Sequence, residues 1–302
     1  MKSLKMATEY LNSIPLKVIA GPTASGKSSM ALEIAEKCNG EIVSIDSMQL
    51  YRIIPIGTAQ PDAADKERVP HHLVGIYEIS ERAEVYTFAE LADRAIRDIC
   101  SRNRTPVLCG GTGLYLKSLL YGLDNLPGDE VLKKSLDKEY DDPAMLEALQ
   151  QRLIALGDQL VVEKFTNNRR RLIRALEIRL LTGRSILDLQ KEYQPTLRYQ
   201  LDDAVYLVHD RTVLQERIAG RTRQMLKDGW IEEAENAINA GLLTSPTAHQ
   251  ALGYKIIARY LNGEFDLAKL EELIITATWQ YARRQQTWFR HQHPELKPLI
   301  CS

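Results

Sequence analysis

Short apolar runs alternate with helical patterns along the first third of the chain. Leu16–Ala20 (LKVIA) predicts a first strand, and Glu41–Ile45 (EIVSI) predicts a second. Between them, Lys27–Cys38 has the periodicity of a helix, which Gly40 ends. This pattern favours parallel strands joined by crossover helices.

The same alternation returns further along the chain. Thr87–Ile99 predicts a helix, Pro106–Cys109 (PVLC) a strand, and Ala204–Val208 (AVYLV) a later strand of the same kind. The sequence therefore predicts an α/β protein with a parallel sheet flanked by helices.

Strand signals vanish between residues 126 and 201, where helical periodicity takes over. We expect residues 1–125 to form the first part of a core, 126–201 an all-helical insertion, and 202–302 the mostly helical completion of the core. Four helices are predicted after His209: Thr212–Lys227, Ile231–Ala240, Ala251–Leu261 and Ala268–Arg290.

Composition restricts the class of protein only partly. The chain has 302 residues and a formal net charge of −1, which does not mark a nucleic-acid binder. Basic residues are nevertheless concentrated locally, since Arg169–Arg174 (RRRLIR) holds four arginines and a basic, aromatic stretch begins at Tyr281. Phosphate contacts need such a local surface, so composition leaves nucleic-acid binding open.

Two further features of the composition bear on location and metal content. No stretch approaches the roughly 20 consecutive apolar residues of a membrane span, and the N-terminus lacks the pattern of a signal peptide. We therefore expect a cytoplasmic protein with no membrane partner. The cysteines are scattered, which disfavours a zinc site.

The strongest motif is a phosphate-binding loop between the first strand and the first helix. Its sequence, GPTASGKS, fits G-x-x-x-x-G-K-[ST] and comprises Gly21, Pro22, Thr23, Ala24, Ser25, Gly26, Lys27 and Ser28. Inward-pointing N–H groups, a helix N-terminus and a lysine bind an anion, and the Ser28 hydroxyl can help hold Mg²⁺. The loop does not distinguish a nucleotide from the diphosphate of an isoprenoid.

Two other strand ends carry candidate chemistry. Asp46 follows the second strand, where ligands of an open parallel sheet bind, and its carboxylate could take a proton or bind metal. The alternative is an Asx-turn that leads out of the strand. Gly110–Tyr115 (GGTGLY) follows the third strand, and Thr112 could donate to a phosphate, face the substrate, or simply form a turn.

These residues together resemble the tRNA dimethylallyltransferases, also called tRNA isopentenyltransferases, of the bacterial type without a C-terminal zinc finger. The match follows the family's order through nearly the whole chain. It comprises GPTASGKS at Gly21, IDSMQLY at Ile45, IGTAQP at Ile56, PHHL at Pro70, GGTGLY at Gly110, NNRRRLIRALEI at Asn167, RTRQMLKDG at Arg221, QALGYK at Gln250 and YARRQQTWFR at Tyr281.

The resemblance implies transfer of a dimethylallyl group from its diphosphate to the exocyclic amino nitrogen of the adenosine just 3′ of the anticodon. It implies a P-loop NTPase-like sheet with an inserted tRNA-binding domain, Mg²⁺ dependence and a monomer. In this reading Asp46 is the general base, Thr23 and Arg221 contact the diphosphate, and Thr112 lies near the adenosine. The residues implied to approach the tRNA are Asp46, Ser47, Met48, Gln49, Thr112, Arg170, Arg171, Leu172, Ile173 and Arg174.

The chain departs from the family's pattern at three positions. Gln60 replaces a frequent lysine, Asn168 replaces an acidic helix cap, and Trp279 replaces an arginine. Gln60 weakens any claim that this position contacts phosphate. Trp279 bears on tRNA contacts and touches none of the implied chemistry.

Other interpretations stay open. The arginines after Asn168 could form a solvated helix face paired with Glu177, and His71-His72 reads as a structural pair. Trp279 and Trp288 are expected in the core. As alternative functions we consider an isopentenyltransferase acting on free adenylate, and a P-loop small-molecule kinase. A kinase is disfavoured because no other apolar strand ends in the carboxylate that P-loop kinases use, since PVLC is followed by GGTG.

Overall fold

The computed structural model of the protein describes residues 14–122 and 126–301. Contacts divide the chain into a core unit, which ends at Gly122 and resumes at Leu197, and a helical unit between them, described from Leu126 to Thr196. We predicted that the insertion runs to residue 201, but Arg198 already belongs to the core unit. Its backbone N–H donates to Leu120 O at 2.8 Å, and its guanidinium donates to Leu119 O at 3.0 Å.

A six-stranded parallel sheet forms the centre of the core unit. Its strands are β1 (Pro15–Ala20), β2 (Gly40–Ser44), β3 (His71–His72), β4 (Thr105–Gly110), β5 (Gln200–His209) and β6 (Lys297–Cys301), in the order β3-β2-β4-β1-β5-β6. The predicted α/β class is confirmed. The phosphate-binding loop follows β1, which lies between β4 and β5.

Helices cover the sheet. Those of the core unit are α1 (Lys27–Lys37), α2 (Ala63–Arg68), α3 (Val85–Ser101), α4 (Gly113–Tyr121), α10 (Arg211–Lys227), α11 (Trp230–Asn239), α12 (Tyr254–Leu261) and α13 (Leu267–Gln292). Those of the helical unit are α5 (Glu130–Glu139), α6 (Leu146–Ala155), α7 (Gln159–Phe165), α8 (Arg169–Thr182) and α9 (Ile186–Glu192).

Successive apolar residues of the central strands face opposite sides of the sheet. Ile19, Ile42 and Val107 pack in the cluster that includes Ala31 and Leu32 of α1. Their neighbours Val18, Val43 and Leu108 pack in the cluster that includes Phe88, Ile96 and Ile99 of α3. Because both faces are buried, these strands read as continuous apolar runs, which made them easy to predict.

The outer strands were harder to predict. β5 begins at Gln200, before the predicted Ala204, and its first residues Gln200 and Leu201 pair with Pro15 and Leu16 of β1. Lys17 of β1 binds the exposed carboxylates of Asp202 and Asp203 at 3.0 and 2.8 Å. β6 was missed altogether. It pairs with β5 at the edge of the sheet, where Ile300 is 82% exposed. Its sequence, KPLIC, lacks the alternation of apolar and polar residues that predicts a strand with one buried face.

One helix also begins later than predicted. Ala251–Leu261 was expected to be helical, but α12 starts at Tyr254 and Ala248–Gln250 forms a separate 3₁₀ turn. Gly253 has a φ of 95°, which a helix interior does not allow, and a Cβ there would lie 2.4 Å from Trp230 Cζ2.

The helical unit has a core of its own, and its described residues form helices and turns without a strand. Leu172, Ile173 and Leu176 of α8 are buried in that core, whereas Leu180 of the same helix is 41% exposed. Leu180 therefore does not belong to the apolar side of this helix.

A buried carboxylate fixes the start of β2. Glu41 is 1% exposed and lies 2.8 Å from Arg102 Nη2, 3.0 Å from Arg104 Nη1 and 2.6 Å from His72 Nε2. The hydrogen-bonded Arg102 lowers the pKa of Glu41 from 4.5 to about 2 against the opposing effect of burial. His72 of the predicted structural pair is thus a partner of this carboxylate.

We expect this carboxylate to make stability depend on pH. Because its folded pKa is lowered, its contribution is complete above pH 4.5 and is lost as the pH falls towards 2. The shift sets an upper limit of about 3 kcal/mol, which solvent around the partly exposed Arg102 reduces to about 2 kcal/mol. Urea unfolding of the wild type and of Glu41→Gln between pH 2 and pH 6 would measure it. If the difference in unfolding free energy between the two proteins stayed constant across that range, the prediction would be contradicted.

No helix among residues 14–122 and 126–301 is both long enough and apolar enough to cross a membrane.

Candidate active site

The phosphate-binding loop connects β1 to α1. Gly26 caps α1 with a φ of 85°, and a Cβ at this position would lie 3.0 Å from Arg217 Nη2. The left-handed backbone favours glycine at this position. α1 begins at Lys27, so the positive end of its dipole faces the loop.

Cationic side chains surround the loop. Lys27 Nζ donates to Pro22 O at 3.2 Å, and Arg221 Nη1 donates to Thr23 Oγ1 at 3.3 Å. Burial lowers the pKa of both Lys27 and Arg221, and the charge of Arg221 further lowers the pKa of Lys27. A bound anion would compensate both charges. Arg217, one turn before Arg221, also reaches the loop and donates from Nε to Ala24 O at 2.8 Å. The loop is therefore built to receive negative charge.

Asp46 lies beyond the end of β2. Its Oδ1 accepts from Met48 N at 2.9 Å, so the Asx-turn considered as an alternative is present. Burial raises the pKa of Asp46, whereas the bond from Met48 and the charges of Lys27 and Arg221 lower it. A carboxylate with a raised pKa is a better proton acceptor, so the turn and a catalytic role are compatible.

The third strand end is interlocked with the second. Thr112 N donates to Ile45 O at 3.1 Å, and Ser47 N donates to Thr112 Oγ1 at 3.2 Å. A Cβ on Gly110 would lie 2.1 Å from Ile45 O, so only glycine permits this approach. Thr112 thereby positions the segment that carries Asp46.

A cavity of about 540 Å³ in the core unit brings these groups together. Its polar lining includes Thr23, Lys27, Ser28, Asp46, Ser47, Gln49 and Arg221. Its apolar lining includes Met48, Ile218, Met225, Trp230, Ile256 and Ala277. The cavity therefore combines an anion-binding loop, a buried carboxylate and an apolar wall.

Gln49 is already held by the protein. Its Nε2 donates to Thr58 O at 3.2 Å and to Ala59 O at 2.8 Å, and its Oε1 accepts from Ser44 Oγ at 2.7 Å. Both amide hydrogens are thus occupied, and a lone pair of Oε1 remains for a substrate.

The residues that depart from the family's pattern have structural partners. Gln60 Nε2 donates to Tyr51 O at 2.7 Å, and Asn168 caps α8 by accepting from Arg171 N at 3.2 Å. Trp279 is half-buried under the guanidinium of Arg211, 5.7 Å from the ring centroid. Trp279 packs against the hydrophobic cluster of Ala24, Leu214, Ile218 and Ala282, so it borders the core. Trp288 is half-buried as well.

The arginines of α8 in the helical unit do not form one uniform basic face. Arg174 Nη1 donates to the buried Glu177 at 2.7 Å, and Arg169 Nη1 donates to Tyr140 O at 2.6 Å. Arg170 and Arg171 are exposed. Arg170 and Arg171 stay predicted tRNA contacts, whereas Arg174 is paired with Glu177 inside the helical unit.

Two tRNA-contact predictions on α8 need correction. Leu172 is 0% exposed and Ile173 is 3% exposed, because both fill the core of the helical unit. Their side chains cannot contact a partner. They anchor α8 in the core of the helical unit, and this helix carries the exposed Arg170 and Arg171.

Metal binding was predicted at Ser28. Across the residues that the structure describes, no three His, Cys, Asp or Glu side chains form a group that could hold a metal ion. Ser28 and Asp46 both line the cavity, and these oxygen donors fit Mg²⁺, which in proteins takes one or two side chains and completes its shell with substrate phosphates and water.

The chain is similar to known proteins along most of its length. The sequence model of the IPP transferase family matches residues 49–292. The chain belongs to the IPP transferase family. A second model, of isopentenyl transferase, matches residues 14–73.

The chain is similar to tRNA dimethylallyltransferases. It is 40% identical over 280 residues to a tRNA dimethylallyltransferase of Geobacter metallireducens, which covers 91% of this chain and 89% of the relative. It is 42% identical over 278 residues to tRNA dimethylallyltransferase 1 of Citrifermentans bemidjiense, with the same coverage of 91% and 89%. The predicted resemblance is confirmed.

Solved structures support the fold. A tRNA isopentenylpyrophosphate transferase of Bacillus halodurans matches with a TM-score of 0.68 and 34% identity, over 96% of this chain and 90% of that one. A eukaryotic dimethylallyltransferase described as acting on tRNA matches with a TM-score of 0.77 and 29% identity, over 95% and 74%. The predicted P-loop-like architecture of this IPP transferase is thus confirmed.

Sequence reasoning missed several residues of the site. Arg217 shares the four-residue spacing of Arg221 and Met225, which was a usable signal for a helix face directed at the loop. Tyr281 and Gln285 of α13 line the cavity and contribute polar groups. Both belong to the family match YARRQQTWFR, but that motif does not show that they reach the loop, because they do so only through the packing of the last long helix.

Proposed function

We propose that this chain transfers a dimethylallyl group from dimethylallyl diphosphate to the exocyclic amino nitrogen of the adenosine 3′-adjacent to the anticodon in tRNA. The observation that carries the proposal is the position of Asp46 in one cavity with Thr23, Lys27 and Arg221 of an IPP transferase. A base and an anion site that share a cavity suit a transfer that releases an anion.

In the proposed reaction, the amino nitrogen of adenine forms a bond to the first carbon of the dimethylallyl group. The bond from that carbon to the diphosphate oxygen breaks, and the diphosphate leaves with the electron pair. An aromatic amine is a weak nucleophile, so the Asp46 carboxylate takes a proton from the nitrogen as the new bond forms.

The departing diphosphate is proposed to be held by the phosphate-binding loop. Its negative charge would be stabilised by Lys27, Arg221, the hydroxyl of Thr23 and the backbone N–H groups of the loop. The apolar wall, including Ile218 and Met225, would receive the hydrocarbon part of the donor. Mg²⁺, held through Ser28 and the diphosphate, would supply charge neutralisation when bound.

The acceptor lies within an RNA loop, so the base would have to leave its stack to enter the cavity. Ser47 and Met48 line the cavity beside Asp46 and would lie close to that base. Arg170 and Arg171 are the exposed cations of the helical unit that we assign to tRNA phosphates. The proposal further takes the protein to be a monomer that acts in the cytoplasm.

A second candidate function is isopentenyl transfer to free adenylate, because the phosphate-binding loop and Asp46 would serve that acceptor as well. The match over residues 49–292 includes the helical unit, which a free nucleotide would not require.

A donor assay separates these functions. The purified protein is incubated with Mg²⁺ and labelled dimethylallyl diphosphate, and either tRNA from cells that lack the modification or AMP is added. We expect label in tRNA alone. Label in AMP alone would support the second function, and release of phosphate from ATP without prenyl transfer would support a kinase.

We expect Arg170→Ala/Arg171→Ala to weaken tRNA binding and to flatten its salt dependence. Each lost phosphate contact removes about 0.7–0.9 from the slope of log affinity against log salt, so the slope should fall by roughly 1.5. Titrations at several salt concentrations measure it. Arg174→Ala is not used for this purpose, because it would leave Glu177 buried without its partner.

The matched control is Lys133→Ala/Lys134→Ala on α5 of the same unit. A wild-type slope in the arginine variant, with its melting temperature unchanged, would reduce Arg170 and Arg171 to a solvated surface.

A further inference from the structure

The carboxamide of Gln285 joins two loops of the cavity. Gln285 lies on α13 and is 6% exposed. Its Oε1 accepts from Thr23 N at 2.9 Å, and its Nε2 donates to Gly111 O at 2.9 Å. One side chain therefore connects the phosphate-binding loop to the loop after β4.

The two partners fix the orientation of this carboxamide. A backbone N–H can only donate and a backbone carbonyl can only accept, so the oxygen of Gln285 must face Thr23 and its nitrogen must face Gly111. The approach to Gly111 is close, since a Cβ there would lie 2.4 Å from Nε2 of Gln285. A shorter side chain could not reach both partners, and an apolar side chain could not form the two hydrogen bonds.

Each loop that Gln285 holds carries one half of the chemistry. Thr23 belongs to the phosphate-binding loop, and its hydroxyl accepts from Arg221 at 3.3 Å. Gly111 precedes Thr112, which accepts from Ser47 N and donates its own N–H to Ile45 O, on either side of Asp46. Gln285 thus links the anion site to the segment that carries the base.

The bond to Thr23 also changes what the loop can do. The N–H of Thr23 is engaged by Gln285, so it does not add to the N–H groups that surround a phosphate. Thr23 is left to act through its hydroxyl, whose position depends on the backbone that Gln285 holds.

We propose that Gln285 is a positioning residue that sets the distance between the leaving diphosphate and the Asp46 carboxylate. This inference rests on the proposed function. A misplacement of about 1 Å between reacting groups can cost about 100-fold in rate, so this single carboxamide should affect catalysis strongly although it takes no part in the bond changes.

The test replaces Gln285 with methionine, which keeps the length of the side chain and removes both hydrogen bonds. We expect kcat for prenyl transfer to fall about 10- to 100-fold and the KM for dimethylallyl diphosphate to rise, while the Kd for tRNA stays within about twofold. Gln286→Met is the matched control, since it makes the same change at the next position of the helix, and it should behave as wild type.

Gln285→Glu separates positioning from stability. It is isosteric and keeps an acceptor for Thr23, but its ionised carboxylate would be buried against the carbonyl of Gly111. The kcat per folded molecule should therefore fall, and it should recover in part at lower pH, where the protonated carboxyl can donate to Gly111 O. This variant also decides the question if Gln285→Met fails to fold. Wild-type kcat and donor KM in a folded Gln285 variant would overturn the inference, as would a loss of rate matched by an equal loss of folded protein. If the wild type transfers no label to tRNA, the proposed function fails instead.

Discussion

Asp46→Asn should retain tRNA binding and lose about 10²- to 10⁴-fold in the rate of prenyl transfer. The asparagine keeps an oxygen for the bond from Met48 N, which Asp46 Oδ1 accepts at 2.9 Å, so the Asx-turn survives. What disappears is the carboxylate that takes the proton. Single-turnover transfer with enzyme in excess over labelled tRNA measures this step.

Asp46→Ala is the companion variant, because it removes the turn as well as the carboxylate. If the asparagine variant transfers at nearly the wild-type rate and only the alanine variant is slow, Asp46 has a structural role alone. The pH profile gives a second check. Burial raises the pKa of Asp46 above 3.8, so wild-type activity should fall, as the pH is lowered, at a value above that of an ordinary aspartate.

Arg221→Ala should reduce kcat/KM for dimethylallyl diphosphate by about 10- to 100-fold. Arg221 contacts Thr23 Oγ1 and lines the cavity, so we assign it a charge-assisted bond to the diphosphate. Losing one such bond in an enclosed site costs about 1.5–3 kcal/mol. Lys27→Ala should have an effect of similar size, since both cations face the same loop. Steady-state kinetics with tRNA saturating measure both.

Arg223→Ala is the control for this experiment. Arg223 lies on the same helix but is exposed and paired with Glu271 at 2.7 Å, so its removal should leave donor kinetics unchanged. Unchanged donor KM and kcat in Arg221→Ala and Lys27→Ala would show that the diphosphate binds elsewhere.

The phosphate-binding motif by itself does not determine which other residues line the cavity. Gly21–Ser28 carries its own local signal, because glycines, a lysine and a following helix are adjacent in sequence. The groups that complete it arrive from three other places: the end of β2, α10 and α13. The family resemblance supplied Asp46 and Arg221, and the helix spacing offered Arg217, whereas the contacts of Gln285 needed coordinates.

The helical unit illustrates the same limit on a smaller scale. The sequence correctly placed Leu172 and Ile173 on a helix rich in arginine, but it could not divide the arginines by role. Arg174 and Arg170 are one turn apart and look equivalent in sequence. Glu177 follows Arg174 by three positions on the same helix, so the sequence offered this pair. Only the fold shows that Glu177 is buried and that Arg170 stays exposed.

The sequence alone determined the central strands, most helices and the phosphate-binding loop, because each depends on the spacing of neighbouring residues. It did not determine β6 or the early start of β5, whose partners lie far away in the chain. Nor did it determine that Gln285 meets Thr23, which is 262 positions earlier. A hydrogen bond between such distant residues depends on how the last helix packs against the sheet, and that packing is decided by the tertiary structure.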